Sequence, residues 1–491
     1  MNIDAGASPM KTVAVVGGGL SGALFALKLA RARPEFRVVV VESRARLGRG
    51  VAYGACAPGD LLNVPVSRME VGLQPTFGGW LGANPAAKPA LASALKESGG
   101  DIRAAFAPRR LFGDYLQEQV AGVLITGPGP GLASVRGEVV RLLPEPKRGV
   151  LLSDGRAIEA DMVVLATGNL APQPPECPDA WLYDSGFFVP DPWSADAFEA
   201  LSPGDPALLV GAGLTMVDIA LKLAAAGGGP MLAISRRGLA PQVHVAGGSW
   251  APFLEDALPA SPRQLARLVR AQVEAAQTRG VPWQRVFDAA RPAVPAVWRG
   301  WTTAQKRQFL RHLRTRWDVH RHRMAPRIGA ALDALIAGGR LEISAARVRS
   351  YRWTTEGGAD RVDVTLATRG GGERRFSAAA VINCTGPRRD LDRLATPLLA
   401  DLRERGLATP DALGLGLETE NSALLDGVRR PSDWLFALGT LTCPSWWEIT
   451  AVPEINVQID NLVGELAQAD APRPSHRLLS PEDFLDLGAG I

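Results

Sequence analysis

The sequence predicts an α/β protein with two parallel-sheet domains, because one strand, turn, helix and strand pattern occurs in it twice. Each copy runs from an apolar strand into a glycine-rich turn, continues as a helix and returns as a second strand. The copies start at Thr12 and at Ala207. This order is typical of a βαβ unit in a parallel sheet. Apolar residues also recur at helical spacing between Ser261 and Ala337, which predicts a helical subdomain.

The first copy has the features of a dinucleotide-binding turn. After the strand Thr12–Val16, the sequence GGGLSG at 17–22 opens a helix, and the next strand ends at Glu42. Gly17 permits the tight turn, Gly19 lets the backbone approach a pyrophosphate, and Gly22 allows the helix to pack closely on the sheet. The helix N-terminus then offers N–H groups to phosphate, and Glu42 is placed to hold ribose hydroxyls. The alternative is a glycine-rich turn with a purely structural role.

The second copy departs from this pattern at two positions. It reads GAGLTM at 211–216, so that Met216 replaces the third glycine and keeps helix and strand farther apart. Where the first copy has an acid after its second strand, this one has Ser235, Arg236 and Arg237. Arginines there are suited to a 2′-phosphate, which favours NADPH over NADH. The alternative is a solvated arginine pair on a domain that binds no nucleotide.

The overall composition predicts a soluble globular protein. The chain has 491 residues, of which 46% are hydrophobic and 21% charged, and its formal net charge is +4. These values are typical neither of a disordered chain nor of a nucleic-acid-binding one. Residues 1–10 lack the pattern of a secretory signal, and the most apolar stretches contain charges. We expect a cytoplasmic protein without nucleic-acid or membrane partners, and the sequence is compatible with a monomer or an oligomer.

The sequence predicts neither a thiol redox centre nor a metal site. The four cysteines are widely separated and form no CxxC pair, which argues against a disulfide reductase. The basic stretch 307–327 contains His320 and His322, two positions apart and so on different faces of a helix, with no cysteine nearby. No paired carboxylates or Ser/His/Asp arrangement stands out, so no catalytic residue is assigned.

Several longer motifs resemble those of a known family. They are GRGVAY at 48–53, LLNVP at 61–65, ATG at 166–168, GLT at 213–215, SRRG at 235–238, WDVHRHR at 317–323 and WEITAVPE at 447–454. In these motifs the chain resembles the FAD/NAD(P)-binding family of bacterial flavoproteins, which is related to the class B flavin monooxygenases and N-hydroxylases. The loop TLTCPS at 440–445 departs from the more basic, glycine-containing loop expected there, so substrate contacts in it are not carried over.

The resemblance implies FAD in the first domain and NADPH in the second. The expected FAD contacts are Gly17, Gly19, Leu20, Ser21, Gly22, Glu42, Ser43, Gly50, Val51, Ala52, Tyr53, Asn63, Val64, Met69, Arg109, Val139, Ala166, Thr167, Gly168, Gly439, Trp447, Thr450, Val452 and Pro453. The expected NADPH contacts are Gly211, Gly213, Leu214, Thr215, Ser235, Arg236 and Arg237. In similar flavoproteins a helix like the one starting at Val452-Pro453 faces the flavin pyrimidine and stabilises the reduced ring. Trp447 is either a wall over the ring or part of the core.

Because residues 434–462 complete no domain of their own, we assign them to the first domain, so that the second is an insertion. The predicted boundaries are 10–170 for the first part of the FAD-binding domain and 171–377 for the inserted NAD(P)H-binding domain, including a helical segment at 261–337. Residues 378–470 then complete the FAD-binding domain, and 471–491 form a C-terminal tail. The fold class is therefore α/β, with two Rossmann-like domains, the second inserted in the first, and a helical subdomain.

The predicted function is that of an FAD-dependent, NADPH-using oxidoreductase. A monooxygenase is favoured, in which hydride from NADPH reduces the flavin and molecular oxygen then forms a peroxyflavin that oxygenates a small nucleophile, an amine or a sulfide. One alternative is an FAD-dependent dehydrogenase or oxidase that takes electrons directly from its substrate. The other is a non-catalytic flavin-binding redox or docking protein, whose contact surface would be the basic helix.

Overall fold

The computed structural model describes residues 10–175, 179–254, 258–387 and 396–468. The predicted tail at 471–491 and Cys177 lie outside these ranges. Within them, no helix is both long and apolar enough to cross a membrane.

The first domain is built on a seven-stranded sheet whose central strands are parallel. Its order is β15-β16-β17-β7-β1-β2-β3. The strands are β1 (Thr12–Val16), β2 (Arg37–Glu42), β3 (Gly131–Arg136), β7 (Met162–Leu165), β15 (Thr419–Glu420), β16 (Ala423–Leu425) and β17 (Pro431–Ala437). Late strands thus return to the sheet that the early strands begin. This order confirms the predicted fold class, with one domain inserted in the other.

Both faces of this sheet are covered, as the near-continuous apolar strands require. On one face, α1 (Leu20–Ala32) packs beside α14 (Val452–Ala467). On the other face lie α13 (Pro397–Glu404) and a small antiparallel sheet of β4 (Val139–Leu142), β5 (Gly149–Leu152) and β6 (Ala157–Glu159). Four further helices connect the early strands: α2 (Gly50–Gly54), α3 (Phe77–Ala83), α4 (Lys88–Glu97) and α5 (Arg109–Ala121).

The second sheet repeats the parallel core of the first. Its order is β13-β12-β11-β10-β9-β14-β8. The strands are β8 (Phe188–Val189), β9 (Ala207–Val210), β10 (Met231–Ser235), β11 (Leu341–Glu356), β12 (Ala359–Thr368), β13 (Glu373–Ala378) and β14 (Ala380–Asn383), and α6 (Leu214–Ala225) connects β9 to β10. The predicted boundary at residue 377 is wrong by one strand, because β14 pairs in parallel with β9. The second sheet therefore continues to Asn383.

The predicted helical segment forms six helices that divide between the two domains. They are α7 (Pro262–Thr278), α8 (Trp283–Ala290), α9 (Val294–Gly300), α10 (Thr303–His312), α11 (Arg314–Arg321) and α12 (Pro326–Ala337). Side chains of α7 to α11, among them Trp298 and Phe309, join the hydrophobic core of the first domain. Leu332 and Leu335 of α12 pack in the second domain. The segment is inserted in the sequence of the second domain but packs mainly on the first.

Met216 explains how the second domain does without a third glycine. Its side chain is fully buried in the core between α6 and the second sheet. By contrast, a Cβ atom on Gly22 would lie 1.9 Å from the carbonyl oxygen of Gly17. In the first domain the helix backbone at Gly22 therefore contacts the glycine turn directly, whereas in the second domain the Met216 side chain is buried in the core.

We predict that Met216→Ala lowers the free energy of unfolding of the second domain by about 2–5 kcal/mol, because it leaves a cavity in a closed core. Urea unfolding followed by tryptophan fluorescence measures this. The control is Ile336→Ala, since Ile336 is 42% exposed on α12 and its truncation is expected to cost less than about 1 kcal/mol. An equal effect of the two substitutions would contradict the role given to Met216.

Candidate functional site

The first glycine turn joins three strand ends by direct backbone contact. In register, β1 pairs with β2 and with β7, so the strands end together at one edge of the sheet. Gly17 has φ +100°, and a Cβ atom there would lie 2.4 Å from the carbonyl oxygen of Ala166. The N-terminus of α1, which begins at Leu20 and Ser21, therefore opens directly at the carboxyl edge. This is the position at which α/β sheets bind dinucleotides.

Glu42 is held over this turn by the backbone. Its carboxylate accepts hydrogen bonds from the N–H groups of Gly18, at 2.7 Å, and Arg44, at 2.8 Å. The Ser43 hydroxyl donates to the same carboxylate at 3.3 Å. A carboxylate has about four acceptor positions, so capacity remains for the ribose hydroxyls that the sequence analysis assigned to it.

The loop of Gly50 forms a second wall of the cleft. The position of a Cβ atom on Gly19 lies 3.4 Å from the Cα atom of Gly50, so the two glycine backbones face each other closely. Val51, Ala52 and Tyr53 follow in α2. The Tyr53 ring is buried against Phe112, with ring centroids 5.1 Å apart.

The end of β17 closes the cleft on the opposite side. A Cβ atom on Gly439, which has φ +73°, would lie 3.2 Å from Oγ of Ser21. The Thr440 hydroxyl donates to the carbonyl oxygen of Gly168 at 2.9 Å. Oγ1 of the neighbouring Thr167 is buried and has no hydrogen-bond partner within the described residues. The cleft fits a bound dinucleotide such as FAD, because several of its walls are bare backbone and it offers both a helix N-terminus and the unpaired hydroxyl of Thr167.

The start of α14 is fixed by a buried ionic network. The helix begins at Val452, with Pro453 as its second residue. Glu454 in its first turn binds Arg291, at 2.7 Å for the longer of two contacts, and Arg321, at 2.9 Å. Arg321 also binds Glu448 at 2.9 Å. Since Arg291 and Arg321 come from the helical segment, α8 to α11 are tied to the helix expected to face the flavin.

The network stabilises an unusual backbone conformation at Glu448. It has φ +69°, a left-handed conformation that side chains other than glycine rarely adopt. Its carboxylate accepts a hydrogen bond from the indole N–H of Trp317 as well as the one from Nε of Arg321. The adjacent Trp447 is 4% exposed and stacks on Trp298, with centroids 4.2 Å apart. This packing favours the core interpretation of Trp447. Thr450, next in the turn, donates from its backbone N–H to the carbonyl oxygen of Glu448.

A second, partly buried cluster lies behind the Asn63 loop, and its described residues carry more positive than negative charge. Arg68, Arg285 and Arg323 surround the single carboxylate of Asp288. Nε of Arg285 and Nε of Arg323 are buried without a hydrogen-bond partner among the described residues. Burial, and the repulsion of Arg323 and Arg68, lower the pKa of the nearby His244 to about 3.

His244 is therefore neutral at physiological pH. Its Nε2 lies 2.8 Å from the carbonyl oxygen of Asn63, so this nitrogen carries the proton and donates. The contact ties the segment before α7 to the loop expected to contact the flavin.

Arg109 bridges the two domains. Its guanidinium donates to the carbonyl oxygen of Leu61, at 3.1 Å, and to the carboxylate of Asp218 in α6, also at 3.1 Å. Both side chains are nearly buried, with 11% and 13% exposed. The resemblance described above predicts that Arg109 contacts FAD. The contacts that the structure gives it are with the Leu61 loop and with the helix of the second glycine turn.

The remaining predicted FAD residues divide between the cleft walls and the core below them. Met69 and Val64 pack in the core of the first domain. Val139 begins β4 and is buried with Val16 and Val41, below the strand ends. Their side chains support the cleft. Because the Val139 side chain is buried, only its backbone could contact a ligand.

The second glycine turn has the same construction as the first. Gly211 has φ +120°, and a Cβ atom there would lie 2.2 Å from the carbonyl oxygen of Cys384, at the end of β14. Gly213 precedes the first residues of α6, Leu214 and Thr215, and faces open space. Ser235, at the end of β10, accepts a hydrogen bond from the N–H of Gly238 at 2.9 Å.

A basic cavity of about 710 Å³ opens beyond Ser235. Arg236 and Arg237 line it, as the prediction of a phosphate site requires. Further basic residues in its walls were missed by the sequence analysis: Arg311, His312, Arg347 and Arg369. Arg347 and Arg369 come from β11 and from the turn after β12, more than 100 residues away in sequence, so only the sheet pairing brings them to this edge.

The stability of the α14 network is predicted to depend on pH. Burial alone would raise the pKa of Glu454, but Arg291 and Arg321 lower it from 4.5 to about 2. Because the folded pKa is depressed, the stabilisation is complete above about pH 4.5 and is lost as the pH falls towards 2. We expect Glu454→Gln to lower the free energy of unfolding at pH 7 by about 3–5 kcal/mol, as for a broken buried pair, and by less at pH 3.5.

Urea unfolding at both pH values measures the difference. The matched control is Asp318→Asn, because Asp318 pairs with Arg314 on a partly exposed helix face, with side chains 36% and 39% exposed. There we expect a change below about 1 kcal/mol. A Glu454→Gln effect that is small, or equal at pH 7 and pH 3.5, would contradict the predicted network.

Comparison with known proteins gives a family match for part of the first domain. Residues 14–170 match the model of the FAD-NAD(P)-binding family. A comparison with curated protein sequences gives no significant match.

Solved structures match over nearly the whole chain. An ornithine N-hydroxylase from Kutzneria sp. 744, with reduced FAD, NADP⁺ and L-ornithine, superposes with a TM-score of 0.59 at 17% identity, covering 94% of this chain and 100% of that one. L-lysine 6-monooxygenase from Pseudomonas syringae superposes with a TM-score of 0.60 at 16% identity, covering 94% of this chain and 99% of that one. Ornithine hydroxylase from Pseudomonas aeruginosa gives 0.58 at 16% identity, with the same coverage. Residues 14–170 are thus similar to the FAD-NAD(P)-binding family, and the chain shares the fold of these hydroxylases and monooxygenases.

Proposed function

We propose that the protein is an FAD-dependent, NADPH-using monooxygenase that oxygenates a small nucleophile, an amine or a sulfide. The observation that carries the proposal is the bridge formed by Arg109. It joins the Leu61 loop of the first cleft to Asp218 in the helix that opens at the second glycine turn. Two nucleotide-binding turns held together in this way are suited to electron transfer from one bound nucleotide to the other.

In this proposal the first cleft binds FAD. The N-terminus of α1 and the bare backbone of Gly19 and Gly50 accommodate the pyrophosphate, while Glu42 accepts hydrogen bonds from ribose. The N-terminus of α14 at Val452 is placed to stabilise negative charge on the flavin ring. When bound, FAD supplies the redox chemistry, accepting a hydride from NADPH and activating molecular oxygen. The protein residues bind, orient and exclude water.

The basic cavity beyond Ser235 supports the choice of NADPH. Arg236 and Arg237 lie at the end of β10, where a 2′-phosphate is expected, and three further arginines line the same cavity. Arginine binds phosphate through paired N–H groups. NADH lacks this phosphate, so it would leave the arginines without a partner.

The charge behind the Asn63 loop supports a substrate with an anionic group besides its nucleophile. Three guanidinium groups, of Arg68, Arg285 and Arg323, share the one carboxylate of Asp288. Uncompensated buried charge is costly, and a ligand carboxylate would reduce that cost. The L-ornithine in the Kutzneria N-hydroxylase structure has an amine and a carboxylate together, which is the combination proposed here.

Anaerobic stopped-flow mixing of the FAD-loaded protein with NADPH tests the proposal. We expect rapid loss of flavin absorbance with NADPH and a reduction at least about tenfold slower with NADH at equal concentration. After oxygen is admitted, candidate amines and sulfides are tested for oxygenated product. An unreduced flavin with both nucleotides would contradict the proposal and favour the dehydrogenase or docking alternative.

The double variant Arg236→Gln/Arg237→Gln is the matched control for nucleotide choice. It should raise the NADPH concentration needed for half-maximal reduction by at least about 30-fold, because two charge-assisted contacts are lost and each costs on the order of 1–3 kcal/mol. The NADH rate should stay unchanged. A parallel loss with both nucleotides would show that the arginines do not bind the 2′-phosphate.

A further inference from the structure

Positive charge is concentrated in the helical segment. Residues 261–337 contain 15 lysines and arginines against 4 acidic residues, a formal charge of +11. The rest of the chain has 39 basic and 46 acidic residues, a formal charge of −7. The net charge of the whole chain conceals this separation. A segment so strongly basic attracts anions well beyond the needs of its own folding.

Part of this charge lies along one groove of about 540 Å³ between α7 and α10. Arg263, Arg267 and Arg270 occur at positions i, i+4 and i+7 of α7 and therefore project from one helix face. All three are exposed. Gln308 and His312 of α10 form the opposite wall.

Among the described residues, the arginines of this groove differ from others of the segment in having no ionic partner. Arg291, Arg321 and Arg323 are each paired with a carboxylate. Within the described ranges no salt bridge involves Arg263, Arg267 or Arg270, and none of the described residues lining the groove is acidic. Three adjacent unpaired guanidinium groups repel one another, and a bound anion would relieve that repulsion.

The groove also has an apolar floor, formed by Pro262, Ala266 and Leu313. Its volume lies within the range of about 300–1,000 Å³ that is usual for small-molecule sites. His312 lines both this groove and the basic cavity beyond Ser235, so the two adjoin each other. The neighbouring cavity is large enough to take the 2′-phosphate end of a nucleotide by itself.

We propose that the groove between α7 and α10 is a second anion-binding site, which takes a phosphate-bearing small molecule alongside the nucleotide. The phosphate lies against Arg263, Arg267 and Arg270, whose paired N–H groups suit its oxygens. The organic part of the ligand covers the apolar floor. The location next to the nucleotide cavity rests on the proposed function, whereas the existence of the anion site does not.

Calorimetric titration with inorganic pyrophosphate tests the site. In protein saturated with NADP⁺, we expect one pyrophosphate to bind per chain. The variant Arg263→Gln/Arg267→Gln/Arg270→Gln should weaken this binding by at least about tenfold, since three charge-assisted contacts are lost, and should leave NADP⁺ affinity unchanged. The matched control, Arg279→Gln/Arg349→Gln/Arg352→Gln, removes the same charge elsewhere and should bind pyrophosphate normally.

Other outcomes overturn the proposal. Full competition between pyrophosphate and NADP⁺ would make the groove part of the nucleotide site. Equal weakening in the two triple variants would show general charge attraction without a site. Binding of a polyglutamate peptide, but not of pyrophosphate, would indicate a protein-docking surface instead. If NADP⁺ itself fails to bind, the proposed function fails, while pyrophosphate binding that is lost in the triple variant still supports the anion site.

Discussion

The arrangement of this protein depends on the direct backbone contact between each glycine turn and the end of the neighbouring parallel strand, β7 in the first sheet and β14 in the second. Gly17 meets the carbonyl oxygen of Ala166, and Gly211 meets that of Cys384, at distances that leave no room for a Cβ atom. Because both glycines have positive φ, the chain can turn there directly from strand to helix. Each helix N-terminus is thereby fixed at the carboxyl edge of its sheet, and the other walls of both clefts are built around that point.

The helical segment adds basic residues to both of the proposed binding clefts. Its arginines neutralise Glu448 and Glu454 and so hold the start of α14 beside the first cleft. Its outer helices contribute Arg311 and His312 to the basic cavity at the second sheet. The helical segment thus stabilises the proposed flavin site through buried ion pairs, and it extends the proposed nucleotide site by lining the basic cavity. This double role explains why it packs on one domain although it is inserted in the other.

Much of the frame could be predicted from the sequence, because it depends on local patterns. The strands Thr12–Val16 and Ala207–Val210 lie where apolar runs and glycine turns placed them. The predicted boundary at residue 377 falls before β14, although the pairing of β14 with β9 places this strand in the second sheet. The ionic network of Arg321 and the basic residues Arg347 and Arg369 could not be predicted from local patterns. The roles of these residues depend on contacts with partners distant in sequence, and a single sequence carries no signal of such contacts.

The central claim is that the two turns bind two different nucleotides at the same time. Calorimetric titration of the FAD-loaded protein with NADP⁺, followed by measurement of flavin in the filtrate, tests it most directly. We expect one NADP⁺ to bind per chain with FAD fully retained. Release of FAD as NADP⁺ binds, or no binding of NADP⁺ at all, would contradict it.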